Sequence, residues 1–118
     1  MHEVSLMSGI LEAVEQAARE AGAQRVTVIA LTIGDMTEVV PESLSFAFEA
    51  LSEGTMAAGA DLRVTYVRPR SRCVDCGCEF EHDRYHLKCP QCGSWSTMLL
   101  AGREMLIENI EVELPDEA

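Results

Sequence analysis

The chain has 118 residues, which suits one domain with at most a small satellite, and 47% apolar against 25% charged residues marks it as soluble and globular. No apolar stretch approaches the ~18 residues a bilayer crossing needs, and no signal-peptide pattern opens the chain. A cytoplasmic setting with reduced thiols is therefore expected. A formal charge of −11 argues against nucleic acid or an anionic membrane as partner of the whole molecule and favours cations.

Residues 4–21 place Val4, Met7, Ile10, Leu11, Val14, Ala17, Ala18 and Ala21 on one stripe, and Gly22 follows as a stop, so a first amphipathic helix is predicted. "RVTVIALTI" at 25–33 is β-branched and apolar on both faces, which predicts a strand covered on both sides. In "VPESLSFAFEALSEG", Pro41 opens a second helix, Leu44, Ala47, Phe48 and Leu51 form its stripe, and Gly54 closes it. "DLRVTYV" at 61–67 alternates as a half-buried strand. "RPRSR" reads as a boundary into the cysteine-rich stretch, within which "EFEHDRYHLK" suits ribbon strands and a loop. After Gly102, Leu106, Ile110, Val112 and Leu114 recur at even spacing and predict a final strand returning to the first sheet.

The implied fold class is α+β. Two helices pack on a small, mostly antiparallel or mixed three-stranded sheet, with a zinc-ribbon-like four-cysteine module inserted. The expected domains are 1–67 plus 103–118, and an insert at 68–102. Charge divides along the same line. Six basic and four acidic residues between Arg68 and Arg103 leave +2, while the remaining three basic and sixteen acidic residues leave −13.

Five cysteines in a reducing compartment point to metal or redox chemistry rather than a disulfide framework. Cys73-Val-Asp-Cys76 and Cys89-Pro-Gln-Cys92 lie twelve residues apart, and each is followed by a glycine. A two-residue spacer lets both sulfurs of a pair reach one ion at about 2.3 Å, so two pairs make a tetrahedral four-thiolate site. Zinc fits best, with iron in a rubredoxin-like site as the competitor. Four protein ligands leave no position for substrate or water, which makes the zinc structural. It also supplies folding energy to an insert too small to build its own core. Between the pairs, Cys78, His82 and His86 are candidate auxiliary metal ligands, set against the plainer reading of a spare thiol and two solvated loop histidines.

The first three residues have their own coordination chemistry. The Met1 amine, the deprotonated His2 amide and the His2 Nδ1 can close a five- and a six-membered chelate ring around one ion, with the Glu3 amide, its carboxylate or another donor completing a plane. That geometry suits Ni(II) or Cu(II); histidine in second place can equally be incidental.

"MHEVSLM", "LTIGDMTEVVPESLSFAFEAL", "CVDCG", "CPQCGS" and "GREMLIENIEVE", in that order, resemble the HypA/HybF family of hydrogenase nickel-incorporation proteins. The resemblance implies a non-enzymatic nickel metallochaperone for maturation of nickel–iron hydrogenase, and in some bacteria of urease. Its implied partners are a HypB-type GTPase and the hydrogenase large subunit, with the chaperone itself a monomer or homodimer. It also implies nickel at Met1, His2 and Glu3, and zinc at Cys73, Cys76, Cys89 and Cys92. Cys78, His82 and His86 fall outside the matched pattern. The reading from another class is a zinc-ribbon module acting on nucleic acid or as a transcription adaptor. The overall acidity speaks against it.

Overall fold

The computed structural model describes residues 3–116. Its elements run α1 (Glu3–Glu20), β1 (Arg25–Gly34), a 3-10 turn (Asp35–Thr37), α2 (Pro41–Ser52), β2 (Asp61–Val67), β3 (Arg70–Cys73), β4 (Glu79–Glu81), β5 (Thr97–Ala101) and β6 (Met105–Glu113). The chain divides into two compact units. One takes the residues up to Leu31, Val39–Val64 and those from Ile107 on; the other takes Thr32–Glu38 and Thr65–Leu106.

In the first unit, Met7, Ile10, Leu11, Val14 and Ala18 recur three and four apart and all are buried. α1 packs against α2, whose Leu44, Ala47 and Phe48 are buried in turn. Pro41 stands in the first turn of α2, where a missing N–H costs nothing and φ is already set. β1 contributes Val26, Val28, Ile29 and Leu31 to the same core. It is the central strand of a sheet ordered β2-β1-β6, so both its faces and both its edges are covered. The Gln24 N–H bonds Glu113 O at 3.0 Å and the Gly34 N–H bonds Glu104 O at 2.8 Å. The start of β1 thus meets the end of β6, and the pair is antiparallel.

The architecture is the expected α+β class, with β6 returning to the first sheet and the cysteine-rich stretch between β2 and β6. The expected buried face of the last strand holds only in its middle. Ile110 and Val112 are half-buried, whereas Leu106 and Leu114 are 53% and 57% exposed. β6 is an edge strand with one neighbour, so its ends find little cover.

The second unit is built on a sheet ordered β4-β3-β5, in which β3 pairs antiparallel with both neighbours. The basic stretch expected as a boundary is therefore this sheet's central strand. Arg70 and Arg72 point out, Ser71 and Cys73 point in, and Arg70 pairs with Glu79 across the hairpin. The turn after β1 joins this unit through a close backbone crossing. A Cβ on Gly34 would lie 2.0 Å from Gly102 O, which itself accepts the Met36 N–H at 2.8 Å.

Candidate metal centre

Each CxxC pair forms a tight knuckle, and the two knuckles repeat one another. The Gly77 and Gly93 N–H groups return to Cys73 O and Cys89 O at 2.9 and 3.0 Å. The Cys73 and Cys89 N–H groups bond Cys78 O and Ser94 O at 2.8 and 2.9 Å. Closing each turn needs a left-handed residue after the second cysteine, and Gly77 and Gly93 supply it at φ +77 and +76. A bond from Ser94 Oγ to Asp75 Oδ2 and one from the Val74 N–H to Ser96 O, 2.8 Å, tie the knuckles together.

The four sulfurs converge. All lie within 4.8 Å of one another, with Cys73–Cys92 at 3.5 Å and Cys76–Cys89 at 3.6 Å. A tetrahedron of thiolates about 2.3 Å from one ion has its sulfurs about 3.8 Å apart, so the donor set fits a four-thiolate metal. Cys73 and Cys89 are buried, and Cys76 and Cys92 lie at the surface.

The backbone already stabilises charge on one of these sulfurs. N–H groups of Cys92 and Gln91 point at Cys89 and draw its thiol down to about 6 against the cost of burial, with help from the Cys76 and Cys92 thiols. Cys76 receives the Cys78 N–H, yet burial and the thiols of Cys89, Cys73 and Cys92 push it up to about 12. Cys92 is also raised: Ser94 donates to it, but the Cys73 thiol and burial outweigh that bond. The surroundings of the cluster thus favour a thiolate at Cys89 and disfavour one at Cys76 and Cys92.

The candidate auxiliary ligands are placed differently. His82 is buried; its Nδ1 meets Asp83 O at 2.8 Å and its Nε2 meets Ser71 Oγ at 2.7 Å. A carbonyl can only accept, so Nδ1 carries the proton and Nε2 accepts from the Ser71 hydroxyl. Both ring nitrogens are engaged in holding the β3–β4 hairpin. His86 is exposed, with Nδ1 2.7 and 2.8 Å from the Asp83 carboxylate oxygens. That carboxylate also accepts the Tyr85 and His86 N–H groups, and these bonds hold it below the usual carboxylate range. Cys78 lies at the rim of the cluster, where burial and the neighbouring Cys89 thiol raise its pKa. Ser71 escaped sequence reasoning; a serine between two arginines carries no signal of burial.

Of the terminal triplet, Met1 and His2 lie outside the described residues. Glu3 opens α1 and is 4% exposed, and its Oε2 accepts the Val40 N–H at 2.9 Å. Val40 is the N-cap of α2, so Glu3 joins the beginnings of the two helices. No sequence signal marks this contact, because its donor is a main-chain group 37 positions away.

A family model described as hydrogenase/urease nickel incorporation, metallochaperone, HypA matches residues 1–112. The chain belongs to the HypA family. Its relatives include hydrogenase maturation factor HypA of Chlorobium luteolum, 41% identical over 113 residues and covering 96% of this chain and 97% of the relative. That of Aquifex aeolicus is 36% identical over 114 residues, covering 97% and 99%. The solution structure of the nickel metallochaperone HypA from Helicobacter pylori superposes with a TM-score of 0.67 at 23% identity, covering 98% of this chain and all of that one. A second HypA solution structure gives 0.68 at 24% identity, covering 95% and 96%. These two likenesses support the fold, whereas family membership rests on the sequence matches.

Proposed function

We propose that the chain is a cytoplasmic nickel metallochaperone that binds Ni(II) at Met1, His2 and Glu3 and delivers it for maturation of nickel–iron hydrogenase. The observation that carries this reading is a family match beginning at residue 1 and so including the Met-His-Glu triplet. In this reading residues 1–67 plus 103–118 form the nickel-binding domain and 68–102 the zinc-binding domain. The partners are a HypB-type GTPase and the hydrogenase large subunit, with urease a further client.

Nickel is cargo here, held by the Met1 amine, the His2 amide and imidazole, and the Glu3 main chain. The Glu3 carboxylate is already committed to the Val40 N–H, which favours the amide over the carboxylate as the fourth donor. Planar nitrogen donors suit Ni(II), and a shell at the chain end is open to a competing ligand from a recipient. The amide must lose a proton to bind, so affinity falls as pH falls. The acidic charge outside the cysteine region draws cations in.

Cys73, Cys76, Cys89 and Cys92 would hold zinc. When bound, it supplies a fixed tetrahedral cross-link between the knuckles and a closed shell with no reactive position. The sequence match and a charge of −11 weigh against the nucleic-acid reading.

The test is a nickel titration of three proteins: the native terminus, the same chain with one residue added before Met1, and His2→Ala. The native protein should bind one nickel far more tightly than either variant. Equal binding by all three would sink the N-terminal site.

A further inference from the structure

The first unit holds a cleft of about 490 Å³ between the C-terminal half of α2 and the turn that leads into β2. Phe48 and Leu62 give it an apolar side, and Glu49, Ser52, Glu53 and Asp61 line it with oxygen. No lysine, arginine or histidine is among its lining residues. The last turn of α2 has no basic residue, and Glu49 and the C-cap Glu53 place negative charge where the helix dipole is already negative. They also stand four apart on one helix face, where like charges repel. Neither carboxylate has an ion pair or a hydrogen bond among the described residues, whereas Asp61 is bound to Arg63 at 2.8 Å.

Ser52 points to the same cleft. It is 3% exposed, and its carbonyl accepts the Thr55 N–H and hydroxyl at 3.0 and 2.7 Å. Its own hydroxyl has no partner among the described residues. No fully enclosed side-chain oxygen or nitrogen is left without a hydrogen bond, so the Ser52 hydroxyl opens on the cleft it lines. A polar group held this deep is costly unless an occupant of the cleft supplies its hydrogen bond. The carboxylate oxygens of the cleft do not gather within 4.8 Å of one another as the four sulfurs do, so it is no ready cage for a bare divalent ion. Its size and apolar side suit an organic cation instead.

We propose that this cleft binds an alkylammonium group, with Glu49 and Glu53 as counter-ions, the Ser52 hydroxyl accepting one N–H, and the methylene stem along Phe48 and Leu62. An ammonium offers three donors and no acceptor, which matches two free carboxylates and one free hydroxyl. A methylene stem buries against apolar side chains while its charged head keeps to the polar rim. The group can come from a free diamine or from a lysine side chain of another protein. The inference is independent of the nickel reading, since no residue of the cleft belongs to the Met-His-Glu triplet.

The test titrates the full, zinc-loaded chain with putrescine, and in parallel with a blocked Ala-Lys-Ala peptide, following amide chemical shifts at constant ionic strength. Saturable shifts should centre on residues 45–62. Butan-1-ol, which keeps the stem without the charge, should give none. Glu49→Gln and Glu53→Gln should each weaken binding by up to about fivefold, and Glu53→Lys, which supplies a tethered ammonium, should abolish it. Ser52→Ala should weaken binding yet leave the thermal midpoint unchanged or raised, because the hydroxyl it removes has no partner. Far-UV circular dichroism checks that each variant is folded. Binding of putrescine alone, of the peptide alone or of both supports the site and names its source. Binding of neither, equal shifts with butan-1-ol, shifts centred outside the cleft, or undiminished affinity in the Glu49→Gln, Glu53→Gln double variant would each overturn the proposal.

Discussion

Replacing Glu3 isolates what its carboxylate does. In Glu3→Ala the Val40 N–H, part-buried at the cap of α2, loses its 2.9 Å acceptor. An unsatisfied buried donor costs about 1–3 kcal/mol. Glu3 is also 4% exposed, so the one methylene that alanine lacks is lost from a buried position, at about 0.8 kcal/mol. Together the loss is about 2–4 kcal/mol, and at roughly 4 °C per kcal/mol the midpoint should fall by about 8 °C or more. Glu3→Gln keeps the methylenes and an accepting oxygen and gives up only the charge, so its cost should be about 1 kcal/mol. Urea and thermal unfolding followed at 222 nm on metal-free and zinc-loaded protein measure both. If Glu3→Ala lies within 1 kcal/mol of the native chain, or Glu3→Gln is equally damaging, the carboxylate is not the brace described. Nickel titration of the same pair extends the test: Glu3→Gln should keep nickel affinity within a few-fold, because its amide is intact.

The backbone crossing at Gly34 gives a second expectation. A Cβ there would lie 2.0 Å from Gly102 O and 2.6 Å from Arg103 N, main-chain atoms with no rotamer to escape into. Gly34→Ala should cost about 3 kcal/mol or more through overpacking and loss of the hydrogen bonds to Glu104 and Gly102, read by urea unfolding. Gly9→Ala, with nothing within 4 Å and a helical position, should instead stabilise by about 0.5–1 kcal/mol. Zinc retention should fall steeply with pH. In the metal-free cluster the Cys76 and Cys92 thiols are raised and protonated near neutrality, so binding displaces at least two protons. Apparent affinity should then drop about a hundredfold per pH unit, and faster below about pH 6 as Cys89 takes up its proton too. Competition against a chromogenic chelator checks this, and a flat profile between pH 8 and 6 would refute it.

How much of this could be read from sequence follows from how local each signal is. The α1 stripe and the apolar run of β1 are uninterrupted, so period alone placed Met7, Val14, Ile29 and Leu31 in the core. The CxxC spacing likewise announced that four sulfurs could meet, because two residues between ligands is itself a local geometry. β3 hid its alternation behind Arg70 and Arg72, outward cations that look like a linker, while the inward Ser71 is too small and polar to suggest a core. Exposed ends of β6 were equally invisible, since an alternating pattern says which face is apolar and nothing of how far the cover extends.

The Glu3–Val40 contact was hidden for a different reason, and it bears most on function. A main-chain donor leaves no mark in the residue alphabet, so Glu3 reads from sequence only as a ligand candidate. Its burial changes what the terminal triplet needs. A chelate built from the first residues of a chain would normally fray with that chain end. Here the third residue is braced at the start of α2, so a chelate formed by the two residues before it would begin from a fixed point. On the proposed reading, nickel would be held by backbone and imidazole nitrogens beside this braced residue and would stay reachable by a recipient, as delivery of a cation requires.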